Sequence, residues 1–184
     1  FANAGYPMLE KRLRLGNLEY FHFSSFFNLA DGRAVASFGS ALDRKSAALK
    51  CAGEAMERQA MARFFISNKR KFPAAFCNSN GWAVHTSLSV AKEKALNEAV
   101  ERHLLLKSYL KHGWAGFNFV QQISAGEIEL KLFTARYTAN QKTAGLVAAK
   151  SKKWPGVSFG YCLGDGLDIS SAHFWQSAIF EAVD

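Results

Sequence analysis

DRKSAALKCAGEAMER, residues 43–58, decides how this chain is read. Asp43 can cap a helix start, and Ala48, Cys51, Ala52, Ala55, Ala62 and Ile66 recur on one stripe at helical spacing. A helix is expected from about Asp43 to about Phe65. Leu49, Met56, Ala60 and Phe64 are apolar on its other faces, so burial on most sides is expected. The stretch ends in Glu54-Ala55-Met56-Glu57-Arg58. Acids at i and i+3 share a helical face, and the arginine at i+4 lies one turn along beside the first acid.

The motif returns as Glu98-Ala99-Val100-Glu101-Arg102, and again, without an arginine, as Glu181-Ala182-Val183-Asp184. Carboxylates this close repel one another, so acid pairs within apolar helices make best sense with a cation between them. Magnesium is the natural candidate, because it prefers oxygen ligands and arrives holding phosphates as well as one or two protein carboxylates. A structural ion pair between the acids and Arg58 is the plainer reading. One such pair is commonplace on helix surfaces, but three related copies in one chain are not.

Working outward, Glu19 to Asn28 and Arg33 to Phe38 read as strands around the Ala30-Asp31-Gly32 turn. Asn78-Ser79-Asn80-Gly81 is a turn cluster, Trp82 to His85 could form a short strand, and a second long helix is expected from about Ser89 to His112. Glu127 to Tyr137, Gly145 to Ala149 and Val157 to Leu163 read as strands; Gly164-Asp165-Gly166 then turns the chain toward a last helix from about Ser170. This order predicts an α+β fold, mixed and mainly antiparallel, with the helices on one face.

With 184 residues, the chain fits a single domain spanning 1–184 that can bury a sizeable core. Its net charge of +8 attracts anions. The basic runs Lys11-Arg12-Leu13-Arg14, Lys69-Arg70-Lys71 and Lys150-Ser151-Lys152-Lys153 read as loop charges. With 16 Phe and four Trp, single-stranded nucleic acid is an alternative partner, the least favoured because the phenylalanines fall in core-like patterns. Runs such as Leu104-Leu105-Leu106 are far too short to cross a bilayer, so a soluble, cytoplasmic protein is expected. Cys51, Cys77 and Cys162 lack zinc or CxxC spacing and read as structural thiols. His85, His112 and His173 have no acid or cysteine at ligand spacing, and His103 reads as a packed or solvent-edge residue. Ser40 has no elbow motif and no evident paired base, which argues against a serine hydrolase.

The run from Ser37-Phe38-Gly39 to Glu54-Ala55-Met56-Glu57-Arg58, then Ser79-Asn80-Gly81-Trp82-Ala83 before Glu98-Ala99-Val100-Glu101-Arg102-His103, then a glycine turn and a helix carrying Glu181, resembles the YcaO family. The resemblance implies a central ATP and magnesium cavity lined by three motif-bearing helices. It places Glu54, Glu57, Glu98 and Glu101 at the metal positions, and Arg58, Asn80, Thr86, Arg102 and Glu181 among the nucleotide-binding residues. It implies phosphorylation of peptide backbone amides by ATP in the maturation of ribosomally made peptides. A neighbouring Cys, Ser or Thr then closes to an azoline, while other members install thioamides or amidines. The implied partners are the precursor peptide and a leader-recognising protein, with room for a homodimer.

Departures from the family pattern matter as well. Gly39-Ser40-Ala41 stands where a Gly-Lys-Gly turn is usual, Lys50 where Ser or Ala is usual, and the stretch 67–77 is short. The sequence opens on Phe1 and stops within a motif helix at Asp184, so segments missing near 67–77 and after 184 are expected. A catalytically silent scaffold that binds peptide or a partner subunit is the alternative to an active enzyme.

Overall fold

The computed structural model describes residues 7–29, 32–68, 81–137, 142–153, 155–165 and 171–183. In chain order the elements are β1 (Met8–Leu15), β2 (Leu18–Asn28), β3 (Ala34–Ala41), α1 (Arg44–Ser67), α2 (Leu88–His112), β4 (Asn118–Ala125), β5 (Ile128–Tyr137), β6 (Lys142–Ser151), β7 (Ser158–Asp165) and α3 (Ala172–Val183). The fold is α+β. The strands form two antiparallel sheets, ordered β1-β2-β3 and β4-β5-β6-β7. The chain divides into two compact units: the described residues up to Arg14 with Glu19–Val100, and Leu15–Leu18 with the described residues from Glu101 onward.

In the first unit, Asp43 caps α1 by accepting the Ser46 N–H at 2.8 Å. The helix packs on one sheet face, where Phe23, Ala41, Ala47 and Cys51 form a core joined by Met8, Phe21 and Ala48. Its buried residues are Ala47, Cys51, Ala52, Ala55 and Ala62, a narrow stripe of small side chains. Leu49, Met56, Phe64 and Ile66 are 37–47% exposed, so burial on most sides does not hold. A sheet face offers a helix only one contact stripe, and the small side chains bring the two backbones close. Gly39 marks the closest approach, since a Cβ there would lie 2.3 Å from the Ala47 carbonyl oxygen and 2.4 Å from the Cys51 nitrogen.

In the second unit, antiparallel register places Gly145, Val147, Gly160 and Cys162 on one face and Ala144, Leu146 and Tyr161 on the other. α3 covers the first face, where Cβ atoms added at Gly145 and Gly160 would strike Trp175 and Ala178. Leu105 of α2, together with Trp114 and Phe117, packs on the second, and Tyr137 reaches α2 through its hydroxyl, 2.6 Å from the Ser108 hydroxyl. The helices therefore do not segregate to one face here. A four-stranded sheet with apolar residues on both sides needs two covers.

Strands β1 and β4 were not expected from the sequence. The run Lys11 to Arg14 lies on a strand, not in a loop, and Lys150 lies within β6, one residue before its end at Ser151. Trp82–His85 forms no strand. The expectations at Ala30, Asp31, 69–71, 78–80, Gly166 and Asp184 lie outside the described residues. Among the described residues no helix is long and apolar enough to cross a membrane.

Candidate functional site: acid and arginine pairs on three helices

In the first unit, α1 presents Glu54, Glu57 and Arg58 together. Glu54 is fully engaged: Oε2 accepts the Phe38 N–H at 2.6 Å, and Oε1 accepts from Arg58 Nε at 3.1 Å. β2 pairs with one side of β3, so the Phe38 N–H pointing to the free side is satisfied by a helix carboxylate instead of a strand. Glu57 sits one turn along. Its Oε1 accepts the Val84 N–H at 2.9 Å, tying the segment before α2 to α1. Val84's amide is thus taken by a side chain, which explains why Trp82–His85 makes no ladder.

Burial raises the Glu57 carboxyl above its ordinary value of 4.5. The Val84 N–H opposes that rise; the negative charges of Glu98 and then Glu54 add to it, and Lys94 opposes it. Two carboxylates, Glu57 of α1 and Glu98 of α2, are therefore close enough to repel across a half-buried space. Lys94 was missed in the sequence, although its i, i+4 relation to Glu98 was there to be read. Thr86 is exposed beside this segment, and Asn80 lies outside the described residues.

This donor set suits magnesium. The ion binds one or two carboxylates and keeps its remaining positions for water and phosphate oxygens, so it needs no closed protein cage. Among the described residues no group of three or more His, Cys, Asp or Glu side chains is placed to hold a metal unaided. Glu57 and Glu98 repel one another, and the charge of Lys94 offsets part of that repulsion at Glu57, while Glu54 is paired with Arg58.

In the second unit, Glu181 of α3 repeats the Glu54 arrangement. Its Oε2 accepts the Tyr161 N–H of β7 at 2.9 Å, and its Oε1 faces Arg102 Nη1 of α2 at 3.4 Å. Burial, and then the negative charge of Glu101, pushes the Cys162 thiol up to about 12. Glu101 therefore lies within electrostatic reach of β7, and Cys162 stays an inert thiol, as expected of a structural cysteine.

Ser40 does have a base beside it. His22 Nδ1 lies 2.9 Å from its hydroxyl, directly across the β2–β3 ladder, and Lys50 Nζ donates to the Ser40 carbonyl at 3.0 Å. Eighteen residues separate the pair, so only the strand register brings them together. Both side chains are buried on regular strands, which gives a ladder contact and no exposed nucleophile elbow.

No protein-family model and no curated protein sequence matches the chain. Among solved structures, it is similar to the structure of YcaO from Methanopyrus kandleri bound with AMPPCP and Mg2+, with a TM-score of 0.63 and 13% sequence identity. The match covers 97% of this chain and 59% of that one. The likeness shows that the fold is of the YcaO kind, and the chain spans little more than half the length of that neighbour.

Proposed function

We propose that this chain binds ATP with magnesium and uses it to phosphorylate backbone amide oxygens of a ribosomally made precursor peptide in the cytoplasm. The observation that carries this reading is a fold like that of a YcaO protein solved with AMPPCP and Mg2+, with the Glu57 carboxyl of this chain raised first by burial and further by the charge of Glu98. Glu57 and Glu98 would hold the magnesium. The ion would neutralise charge on the triphosphate. Arg58, held by Glu54, would offer its remaining N–H groups to phosphate oxygens.

The chemistry follows from the leaving group. An amide oxygen leaves poorly, whereas the same oxygen carrying a phosphoryl group departs as phosphate after a neighbouring Cys, Ser or Thr side chain adds to the carbonyl carbon. The product is an azoline ring, and a leader-recognising partner would deliver the peptide.

A silent scaffold is the second reading, favoured by one observation: Glu54 and Glu181 are already engaged in holding strands and arginines. Calorimetry with AMPPCP, with and without magnesium, separates the two. Magnesium-dependent binding that weakens in Glu57→Gln and Glu98→Gln is expected of the enzyme. A wild-type protein that takes up no nucleotide under either condition leaves the scaffold standing.

A further inference from the structure

Residues 81–84, which precede α2 in the first unit, are held against α1 at two points. Val84 gives its N–H to Glu57 Oε1 at 2.9 Å, and the Trp82 ring lies 5.5 Å from Phe64 and 6.1 Å from Phe65, inclined 66° and 60° to them. Rings inclined this steeply meet by their edges, so none of the three is stacked flat on another. Phe64 is exposed and Trp82 partly so. The segment also lies close to α2, since a Cβ at Gly81 would be 3.6 Å from both the Ala95 carbonyl oxygen and the Ala99 methyl. Lys50, Glu57 and Phe64 recur every seven residues along α1, nearly two turns each time, so they share a face at intervals of about 10 Å along the axis. The row runs from an ammonium, whose Nζ donates to the Ser40 carbonyl at 3.0 Å, through the acids to aromatic rings.

A nucleoside triphosphate has the same polarity: phosphates at one end, a flat ring at the other, and the metal on the β- and γ-phosphate oxygens. We infer that Trp82, supported by Phe64, stacks the base of a bound nucleotide whose magnesium sits at Glu57 and whose phosphates point toward Lys50. This base site rests on the nucleotide reading above and adds to it an orientation and a means of holding the base. The reverse orientation would set phosphates against apolar rings and leave the ammonium facing a neutral base. Aromatic rings grip any base by its π face, and the indole N–H is the one polar group among these three side chains, so adenine and guanine should be held alike. A purely structural Trp82, pinning the Val84 segment for Glu57, would instead affect every ligand of the site equally.

Calorimetric titrations of the full chain with magnesium and AMPPCP, GMPPCP or inorganic tripolyphosphate, which has no base, separate the two roles. Trp82→Leu keeps an apolar side chain and removes the π face. It should bind AMPPCP at least about fivefold more weakly than wild type, the low end of the loss for one base–ring stack, and tripolyphosphate as wild type does. Trp82→Phe should retain most of the affinity, GMPPCP should bind like AMPPCP, and Lys50→Met should weaken all three ligands. Phe64→Leu should weaken both nucleotides but not tripolyphosphate, a second route to the result if Trp82→Leu does not fold. Trp82→Leu binding AMPPCP as tightly as wild type overturns the inference, and so does an equal loss of AMPPCP and tripolyphosphate. Wild-type protein that binds tripolyphosphate as tightly as AMPPCP removes the base site and leaves the metal–phosphate site standing. Wild-type protein that binds none of the three removes the nucleotide reading itself.

Discussion

In the first unit Glu54 takes the Phe38 N–H and the guanidinium of Arg58, four residues on along the same helix. In the second unit Glu181 takes the Tyr161 N–H, but its guanidinium comes from Arg102 on a different helix, at the longer distance of 3.4 Å. Both units set a glycine on the last strand beside the capped amide, Gly39 after Phe38 and Gly160 before Tyr161. The spacing differs: Glu54 lies seven residues beyond Ala47, whose carbonyl is nearest to Gly39, and Glu181 three residues beyond Ala178, whose carbonyl is nearest to Gly160. The comparison teaches that the first acid of each pair has an edge-capping role that follows from packing a helix against a last strand. The arginine is interchangeable in origin, because any guanidinium that reaches the second oxygen compensates the charge.

The sharpest way to break this comparison is to fill the close approaches. Gly160→Ala places a Cβ 1.7 Å from the Ala178 carbonyl oxygen, and Gly39→Ala places one 2.3 Å from that of Ala47. Backbone cannot yield as a flexible side chain can. Both variants should lose at least the upper end of the about 1–3 kcal/mol typical of overpacking, with Gly160→Ala the worse. Urea unfolding reads the loss, and a midpoint within error of wild type for either would show that the helix does not sit where described.

A smaller effect sharpens the difference between the units. Glu54→Ala strands the Phe38 N–H and the Arg58 guanidinium together and should cost about 2 kcal/mol. Glu181→Ala should cost about 1 kcal/mol, since the Arg102 contact is longer and more exposed, and solvent screens it. Equal losses, measured by the same unfolding experiment, would mean that the origin of the arginine does not matter energetically.

The smallest effect concerns Glu57, which caps a loop amide instead of a strand edge. Its carboxyl is raised in the folded state, first by burial, so the folded protein holds the proton more tightly than the unfolded chain does. Glu57 therefore detracts nothing below the ordinary carboxylate value of 4.5, and stability falls as pH rises from there through the raised value. Glu57→Gln keeps an acceptor for Val84 and removes the charge. It should melt slightly above wild type at pH 7 and level with it near pH 4. Adding magnesium at pH 7 should close the gap if Glu57 and Glu98 share the ion. A variant less stable than wild type at neutral pH would contradict the crowding.

Much of the fold was legible. α1 announces itself through Asp43 and the small-residue stripe, and β5, β6 and β7 through apolar alternation or short apolar runs. β1 was hidden because Glu10, Lys11, Arg12 and Arg14 crowd an edge strand that buries little, leaving a charge pattern that mimics a loop. β4 was hidden for the opposite reason. Asn118, Gln121, Gln122 and Ser124 give neither charge nor clean alternation, since the strand is exposed on both faces except at its end. Of the site, Arg58 beside Glu54 could be read from the i, i+4 spacing, and Lys94 stands at the same spacing before Glu98.

By itself the sequence determined where the acids recur, which helix carries each, and that Arg58 would find Glu54, because helical spacing is a local property set by 3.6 residues per turn. Only the tertiary structure decided what each carboxylate does there. Glu54 and Glu181 meet edge amides, Glu57 meets the Val84 amide and the charge of Glu98, Arg102 reaches across to α3, and Ser40 meets His22. Each of those partners is a backbone amide or a residue of another element. Chain spacing carries no record of it, because strand register and helix docking are settled by burial over the whole sheet.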